Sequence, residues 1–458
     1  MTVLLLSLLF LLVSSIMASN QPAGCKIRIT DKGLDMCELM DISVKITELN
    51  LTHAELQFIP DVGLLFDVQN SSISLSFHRQ ILYWFFYDTG NINASAEGVN
   101  INTALSLIRD DEGRLKISNI TCDAKIAKMR AKFSGTLGKV YDFLASFLTT
   151  GMRFLLNKQI CPALNHAALV HVNSMLETIP VRTEVDQFIG IDYALIDDPI
   201  VTSRSLDMNF RGMFFTLSDP NSTLVNYAAD PVIREYDRMV YLALSEYFFD
   251  SGMYSYYKAE VFQMHIFNEK MPKDLEMLLK TTYFGAIMML NPALVDAPMS
   301  LQIAVNSPPK TSIKTSGATV VMTAIVKVMV LPPGQPPVQL SSMTMETKFH
   351  AKVSMKGKRL SIHADLRRYA FKIFSNQSAL ESLALIPLQA PLKTMLQMSV
   401  VPLINNWTKR GVRIPLADGV DFIEEVVEYH NGFILIGANL HFSKGLREMI
   451  AGSNQTDP

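Results

Sequence analysis

Alternation is the feature that most constrains what this chain can fold into. From Ile42 to Phe133 apolar residues recur on every second position, and turn residues interrupt the pattern. Ile42, Val44 and Ile46 alternate with polar residues, and Ile73, Leu75 and Phe77 do the same. Ile101, Leu105 and Leu107 run into Asp110-Asp111-Glu112-Gly113 before Leu115 and Ile117 resume. Successive side chains of a strand point to opposite faces, so this pattern predicts antiparallel strands, one face apolar, joined by hairpins. The period then becomes helical. Val140, Phe143, Leu144, Phe147, Leu148, Phe154 and Leu155 recur at helix spacing, and the pattern continues toward Leu176 through Pro162. That predicts a long amphipathic helix, kinked or restarted at the proline. One meander and one long helix suggest a curved sheet rolled around the helix, enclosing an elongated apolar interior.

The same order occurs again. Residues Thr216 to Glu235 have little regular periodicity and contain Pro220, Asn221 and Pro231, which marks a linker. Strand-like segments follow from Met239 to Ala370, with a proline-rich turn at Leu331 to Pro337. Ala379 to Trp407 is a second apolar helical region, punctuated by Pro387, Pro391 and Pro402, and Ile434, Ile436, Ala438 and Leu440 close with an alternating strand. No motif repeats residue by residue, so the repeat is one of architecture. A chain of 458 residues is also long for one core. The expectation is an α+β fold with a first barrel over 20–215, a linker over 216–235 and a second barrel over 236–458.

Leu4 to Met17 is an almost unbroken apolar run ending in Ala18-Ser19-Asn20, which predicts a signal peptide over 1–19 and export. The run is short for a membrane span, and no later stretch is longer, so no transmembrane anchor is expected. Eight N-x-S/T sequons fit export: Asn50, Asn70, Asn93, Asn119, Asn221, Asn376, Asn406 and Asn454. The four cysteines, Cys25, Cys37, Cys122 and Cys161, have no metal-ligand spacing. In an oxidising compartment at least one disulfide is expected. Cys122 with Cys161 is favoured, because that bond ties a strand to the long helix. Cys25 and Cys37 either pair or leave Cys37 free.

Net charge is −2, which offers no basic field to nucleic acid. Between Asn20 and Gly212 stand 18 Lys and Arg against 22 Asp and Glu, an unfavourable balance for clamping an anionic lipopolysaccharide head. Apolar residues make up 49% of the chain and the mean hydropathy is +0.20, high for a chain without a membrane helix. The excess must face a large core or an apolar ligand. None of the H-E-x-x-H, Walker, G-x-S-x-G or G-x-G-x-x-G patterns occurs, so neither an enzyme nor a cofactor or metal is expected. His166 and His171 are five apart on the long helix, the wrong offset for one α-helical face. Five consecutive aromatics, Tyr83-Trp84-Phe85-Phe86-Tyr87, cannot all point to one side of a strand. Tyr83, Trp84, Phe85 and Phe86 are therefore candidates for contact with a lipid surface, with Trp84 the main anchor.

Several segments carry a family resemblance: GCKIRIT at 24–30, LYWFFYD at 82–88, NASAEG at 93–98, GMRFLLN at 151–157 and QICP at 159–162. LDMNFRG at 206–212, LSSMTM at 340–345, SALESLALIPLQAPLKTM at 378–395 and HFSKGLR at 441–447 extend it across nearly the whole chain. Together they resemble the family of bactericidal permeability-increasing and lipopolysaccharide-binding proteins, which includes cholesteryl ester transfer protein. The resemblance implies a boomerang of two barrels joined through a central sheet, with an apolar lipid pocket in each lobe. It implies the Cys122–Cys161 disulfide and glycosylation at Asn70, Asn93, Asn119, Asn221 and Asn376. It further implies non-covalent transfer of phospholipids between lipoproteins or membranes, with lipopolysaccharide binding without transfer as the alternative. Candidate pocket walls are Phe143, Phe147, Leu148 and Leu155 in the first lobe, and Leu385, Leu388 and Met395 in the second. One departure stands out. In the family the segment at 24–30 leads into an amphipathic helix of several turns, whereas here only Asp31 to Met40 precedes the meander.

Overall fold

The computed structural model describes residues 23–30, 46–50, 53–83, 86–133, 145–267, 297–375, 411–414 and 420–442. It also describes single positions or short pieces at 273, 389–390, 392–394, 397 and 405. Strand β1 (Cys25–Thr30) comes first, then β2 (Ile46–Asn50), β3 (His53–Ile59), β4 (Gly63–Tyr83), β5 (Phe86–Arg109) and β6 (Leu115–Phe133). Helix α1 (Ala145–His166) continues through a π-helical turn, Ala167–Val172, into α2 (Asn173–Glu177). Short strands follow: β7 (Arg182–Glu184), β8 (Ile189–Asp192), β9 (Ile200–Val201), β10 (Ser205–Phe210) and β11 (Met213–Thr216). The second half holds β12 (Val240–Ser245), α3 (Glu246–Lys258), β13 (Gln263–Phe267), β14 (Met299–Val305), β15 (Lys310–Lys314) and β16 (Gly317–Val330). It ends with β17 (Val338–Lys356), β18 (Arg359–Ser375), β19 (Val412–Arg413), β20 (Val420–His430) and β21 (Phe433–Phe442).

A six-stranded sheet in the order β20-β21-β12-β1-β10-β9 joins the two halves. Its centre is the antiparallel pair β1–β12, with Ile27 opposite Leu242. All six residues of β12 are buried. A strand covered on both faces reads as a continuous apolar run, which is why VYLALS shows no alternation.

On either side the two halves repeat one topology. In the first sheet β2 and β3 both pair with β4, and β5 and β6 follow in order. In the second sheet β14 and β15 both pair with β16, and β17 and β18 follow. The long strand opens at a glycine in each lobe: Gly63 has φ +140° and Gly317 φ +124°. A side chain at Gly63 would also place its Cβ 1.9 Å from the Leu105 carbonyl oxygen, so the turn excludes any other residue there. The expected turn at Asp110–Gly113 is present, with the Asp110 amide donating to the Arg114 carbonyl at 2.9 Å. Helical positions follow the third long strand in both lobes, α1 in the first and residues 389–390, 392–394, 397 and 405 in the second.

Three local expectations need correction. Helix α1 passes through Pro162 without ending, and the irregularity lies after it, in the π-helical turn. That turn brings His166 and His171 together, ring centroids 5.3 Å apart, because a π-turn places residues five apart on one face. Glu246–Lys258, within the region expected to be strands, is a helix. Its run of Tyr and Phe favours strand by composition, yet Phe248, Ser251, Gly252 and Ser255 are buried at helical spacing. The small residues let α3 lie close on β11, where the Phe214 amide donates to Ser251 Oγ at 3.1 Å.

The cores are uneven. A large cluster joins the central sheet, α3 and the second sheet, and includes Leu242, Leu244, Phe248, Val320, Val353 and Ile434. A second lies within the second sheet around Met299, Leu301, Val326, Val328 and Met343. The corresponding cluster in the first lobe is small: Ala96, Val99 and Ile126, with Ile73, Ile101, Leu156 and Ile160 packed against it.

Candidate lipid-binding seams

In the first lobe the decisive contact is between α1 and the free edge of β6. Strand β6 ends its sheet, so its outward N–H and C=O groups need partners or water. A row of helix side chains supplies them. Arg153 Nη1 donates to the Ala127 carbonyl at 2.9 Å, and Asn157 Oδ1 accepts from the Ile126 amide at 2.9 Å. Cys161 is bonded to Cys122, with Cα atoms 5.6 Å apart. Asn173 then caps both backbone groups of Ile117, accepting from its amide and donating to its carbonyl, each at 2.9 Å. Positions 153, 157 and 161 are four apart and share one helical face. The helix is thus stitched along the strand edge, and Leu156 and Ile160 reach over the sheet's apolar face.

The second lobe repeats the device. Asn405 Oδ1 accepts from the Ala364 amide at 2.7 Å, and its Nδ2 donates to the Ala364 carbonyl at 3.3 Å. Leu392, also at a helical position, is 2% exposed in the core of the second sheet. In a different cluster of the second half, α3 borders a narrow apolar cavity of about 20 Å³ lined by Phe249, Met253, Val320, Val353, Ile362 and Ile434. Two carboxylates hold α3 in place: Asp250 accepts from the Thr311 amide and Glu246 from the Ile313 amide, both at 2.6 Å. Burial, opposed by the Thr311 hydrogen bonds, pushes the Asp250 carboxyl up to about 6. The cavity is far too small for an acyl chain, so a chain would enter only as the seam under α3 widens.

Of the expected pocket walls, Phe143, Leu385, Leu388 and Met395 lie outside the described residues, as do the side chains of Leu148 and Leu155. Phe147 stands 78% exposed, contrary to its expected place in a wall. It is nine residues before Leu156, half a turn around the helix, so it points away from the sheet that Leu156 covers. Phe154 shares its side and is also exposed, under the ammonium of Lys158 at 4.4 Å. Leu156, Ile160, Asn157 and Asn173 were not singled out by apolar periodicity; the four-residue spacing of Arg153, Asn157 and Cys161 was their signal.

Tyr83 and Phe86 are paired across β4 and β5, which places the aromatic run at a hairpin end. Their side chains, and Trp84 and Phe85 between them, lie outside the described residues. Asn70, Asn93, Asn119 and Asn221 are exposed, and Asn376 is outside the described residues. Cys25 is a free, buried thiol whose burial raises it to about 12, and Cys37 lies outside the described residues. No helix among the described residues is long and apolar enough to cross a membrane.

Comparison with known proteins agrees with this architecture. The profile of the LBP / BPI / CETP family, N-terminal domain, matches residues 25–179, and that of the C-terminal domain matches residues 183–442. Phospholipid transfer protein of Homo sapiens is 52% identical over 95% of this chain and 93% of its own length. That of Mus musculus is 49% identical over the same shares. Lipopolysaccharide-binding protein of Homo sapiens is 23% identical over 88% of this chain and 83% of its own. Among solved structures, the crystal structure of lipopolysaccharide binding protein matches with a TM-score of 0.57 and 19% identity. It covers 92% of this chain and 100% of that one, a likeness of fold. With both domains matched in order around one central sheet, the chain belongs to the LBP / BPI / CETP family.

Proposed function

We propose that this protein carries phospholipids non-covalently between lipoproteins or membranes, using the helix-on-sheet seams of its two lobes as seats for acyl chains. The observation that carries the proposal is the identity of about half, over 95% of the chain, to two phospholipid transfer proteins. The geometry supplies a means. In the first lobe α1 is fastened to the edge of β6, and in the second α3 is fastened to β15 through Glu246 and Asp250; each has apolar surface beneath it. Burying an acyl chain contributes about 0.8 kcal/mol per CH₂. Bilayer and seam offer similar burial, so transfer is nearly thermoneutral and follows lipid gradients. The protein's part is to lower the desorption barrier.

The remaining wall candidates, Phe143, Leu148, Leu155, Leu385, Leu388 and Met395, belong to this proposal, as does lipid-surface contact by Tyr83, Trp84, Phe85 and Phe86. Secretion is part of the same reading, supported by the apolar N-terminal run, the Cys122–Cys161 bond and exposed sequons. Catalysis has no part in it. The test is transfer of fluorescent phospholipid from vesicles to acceptor lipoprotein. The expected result is acceleration proportional to protein concentration. No acceleration together with tight lipopolysaccharide binding would overturn the proposal in favour of a sequestering module.

A further inference from the structure

The segment between the lobes crosses one face of the central sheet as a strap, and its contacts are specific. Asp230 accepts from the Ala23 amide at 3.3 Å and pairs with Lys26 at 3.4 Å. Ile233 is buried among Tyr241, Ala243 and Leu435, and its carbonyl accepts from Arg28 Nη1 at 3.0 Å. Tyr236 lies against two guanidinium groups, Arg28 at 4.7 Å and Arg204 at 4.5 Å. Between these anchored residues the strap presents Glu235.

Glu235 meets the edge strand β20. Glu428 and His430 alternate on that strand and therefore share a face. One ligand atom from each of Glu235, Glu428 and His430 lies within 4.8 Å of the others. The imidazole is held in place by Phe433, stacked at 4.8 Å with 4° between the ring planes. Its Nε2 is shielded from solvent and makes no hydrogen bond; the nearest carboxylate oxygen, of Glu428, is 3.6 Å away. A buried ring nitrogen without a hydrogen bond is costly unless something else fills that role. Glu235 Oε2 accepts from the Arg234 backbone amide at 2.8 Å, and among the described residues no lysine or arginine side chain pairs with Glu235 or Glu428. A protonated imidazole would balance only one of the two carboxylates.

We propose that Glu235, Glu428 and His430 form a binding site for a divalent transition metal of the zinc class, which pins the inter-lobe strap to the central sheet. Zinc takes one imidazole nitrogen and carboxylate oxygens at about 2.0–2.2 Å, which sets tetrahedral ligand atoms about 3.4 Å apart. The His430–Glu428 separation of 3.6 Å already fits, and a side-chain rotation of Glu235, whose ligand atom lies within 4.8 Å of both, would close the other two edges. Water completes the shell. The nitrogen donor selects against calcium and magnesium, which prefer oxygen.

The test is calorimetric titration of zinc chloride into the full chain after EDTA treatment. Wild type, Glu235→Gln, Glu428→Gln and His430→Gln are compared with His171→Gln, which controls for the exposed His166–His171 pair. The expected result is one equivalent of zinc lost from each of the first three variants and retained in His171→Gln. Zinc is also expected to slow hydrogen exchange over 230–237 in wild type and not in Glu428→Gln, whose exposed side chain makes misfolding of little concern. Unchanged zinc stoichiometry and affinity in all three variants would overturn the proposal. So would zinc binding lost only in His171→Gln, or no binding by wild type.

Discussion

The disulfide is the only covalent link among the ties between α1 and β6, and its removal has a calculable cost. Cys122 and Cys161 are separated by 39 residues. Closing a loop of that length removes about 13 cal/mol/K of chain entropy from the unfolded state, or about 4 kcal/mol at 25 °C. The other ties along the edge, from Arg153, Asn157 and Asn173, are hydrogen bonds worth about 1 kcal/mol each. Loss of the bond should therefore loosen the first lobe selectively. The double variant Cys122→Ser/Cys161→Ser, unfolded in guanidinium chloride, is expected to lose about 3–4 kcal/mol in the transition that reports the first lobe. Hydrogen exchange should quicken in α1 and along β6, while β16, β17 and β18 keep their protection. Unchanged exchange in α1, or a loss spread evenly over both lobes, would refute the view that this bond closes the first seam.

Asn173→Leu leaves the buried amide and carbonyl of Ile117 without partners and should cost about 2–5 kcal/mol, read from denaturant midpoints. Asn405→Leu should act in the same way on the second lobe. Asp250 holds its proton in the fold up to about pH 6, well above the unfolded value, because burial disfavours its charge. Its contribution to stability is therefore fully present below about pH 4 and is lost as pH rises through 6. Asp250→Asn should gain stability relative to wild type across that window, measured as the difference in unfolding midpoint against pH. Trp84→Ser should weaken vesicle binding and slow phospholipid transfer together; vesicle co-sedimentation equal to wild type would remove the hairpin end from the mechanism.

The lobes were legible because their strands have one buried face. Ile101, Leu105 and Leu107 alternate, and Asp110–Gly113 turns the chain where expected. The fully covered strands β12 and β10 were harder, since a strand buried on both faces carries no period. Helix α3 was hidden by composition: its Tyr and Phe side chains favour a sheet, and tertiary packing of Ser251 and Gly252 decided otherwise. The pairing of His166 with His171 depends on a π-turn that no α-helical spacing anticipates. Apolar periodicity marked α1 without telling which of its sides meets the sheet. Phe147 and Leu156 are both apolar, and the polar row of Arg153 and Asn157 settles the rotation, because only those side chains can satisfy a strand edge. The asparagine clamps at 173 and 405 show the internal repeat more clearly than any shared motif.

The central claim is that acyl chains sit in the two helix-on-sheet seams during transfer. Photolabelling with a phospholipid carrying a diazirine near the end of its acyl chain, followed by peptide mapping, tests it most directly. The account predicts labelled residues around Leu156 and Ile160 in the first lobe, and around Phe249 and Met253 in the second. Labelling confined to the hairpin end at Tyr83–Phe86, in protein that still accelerates transfer, would contradict it.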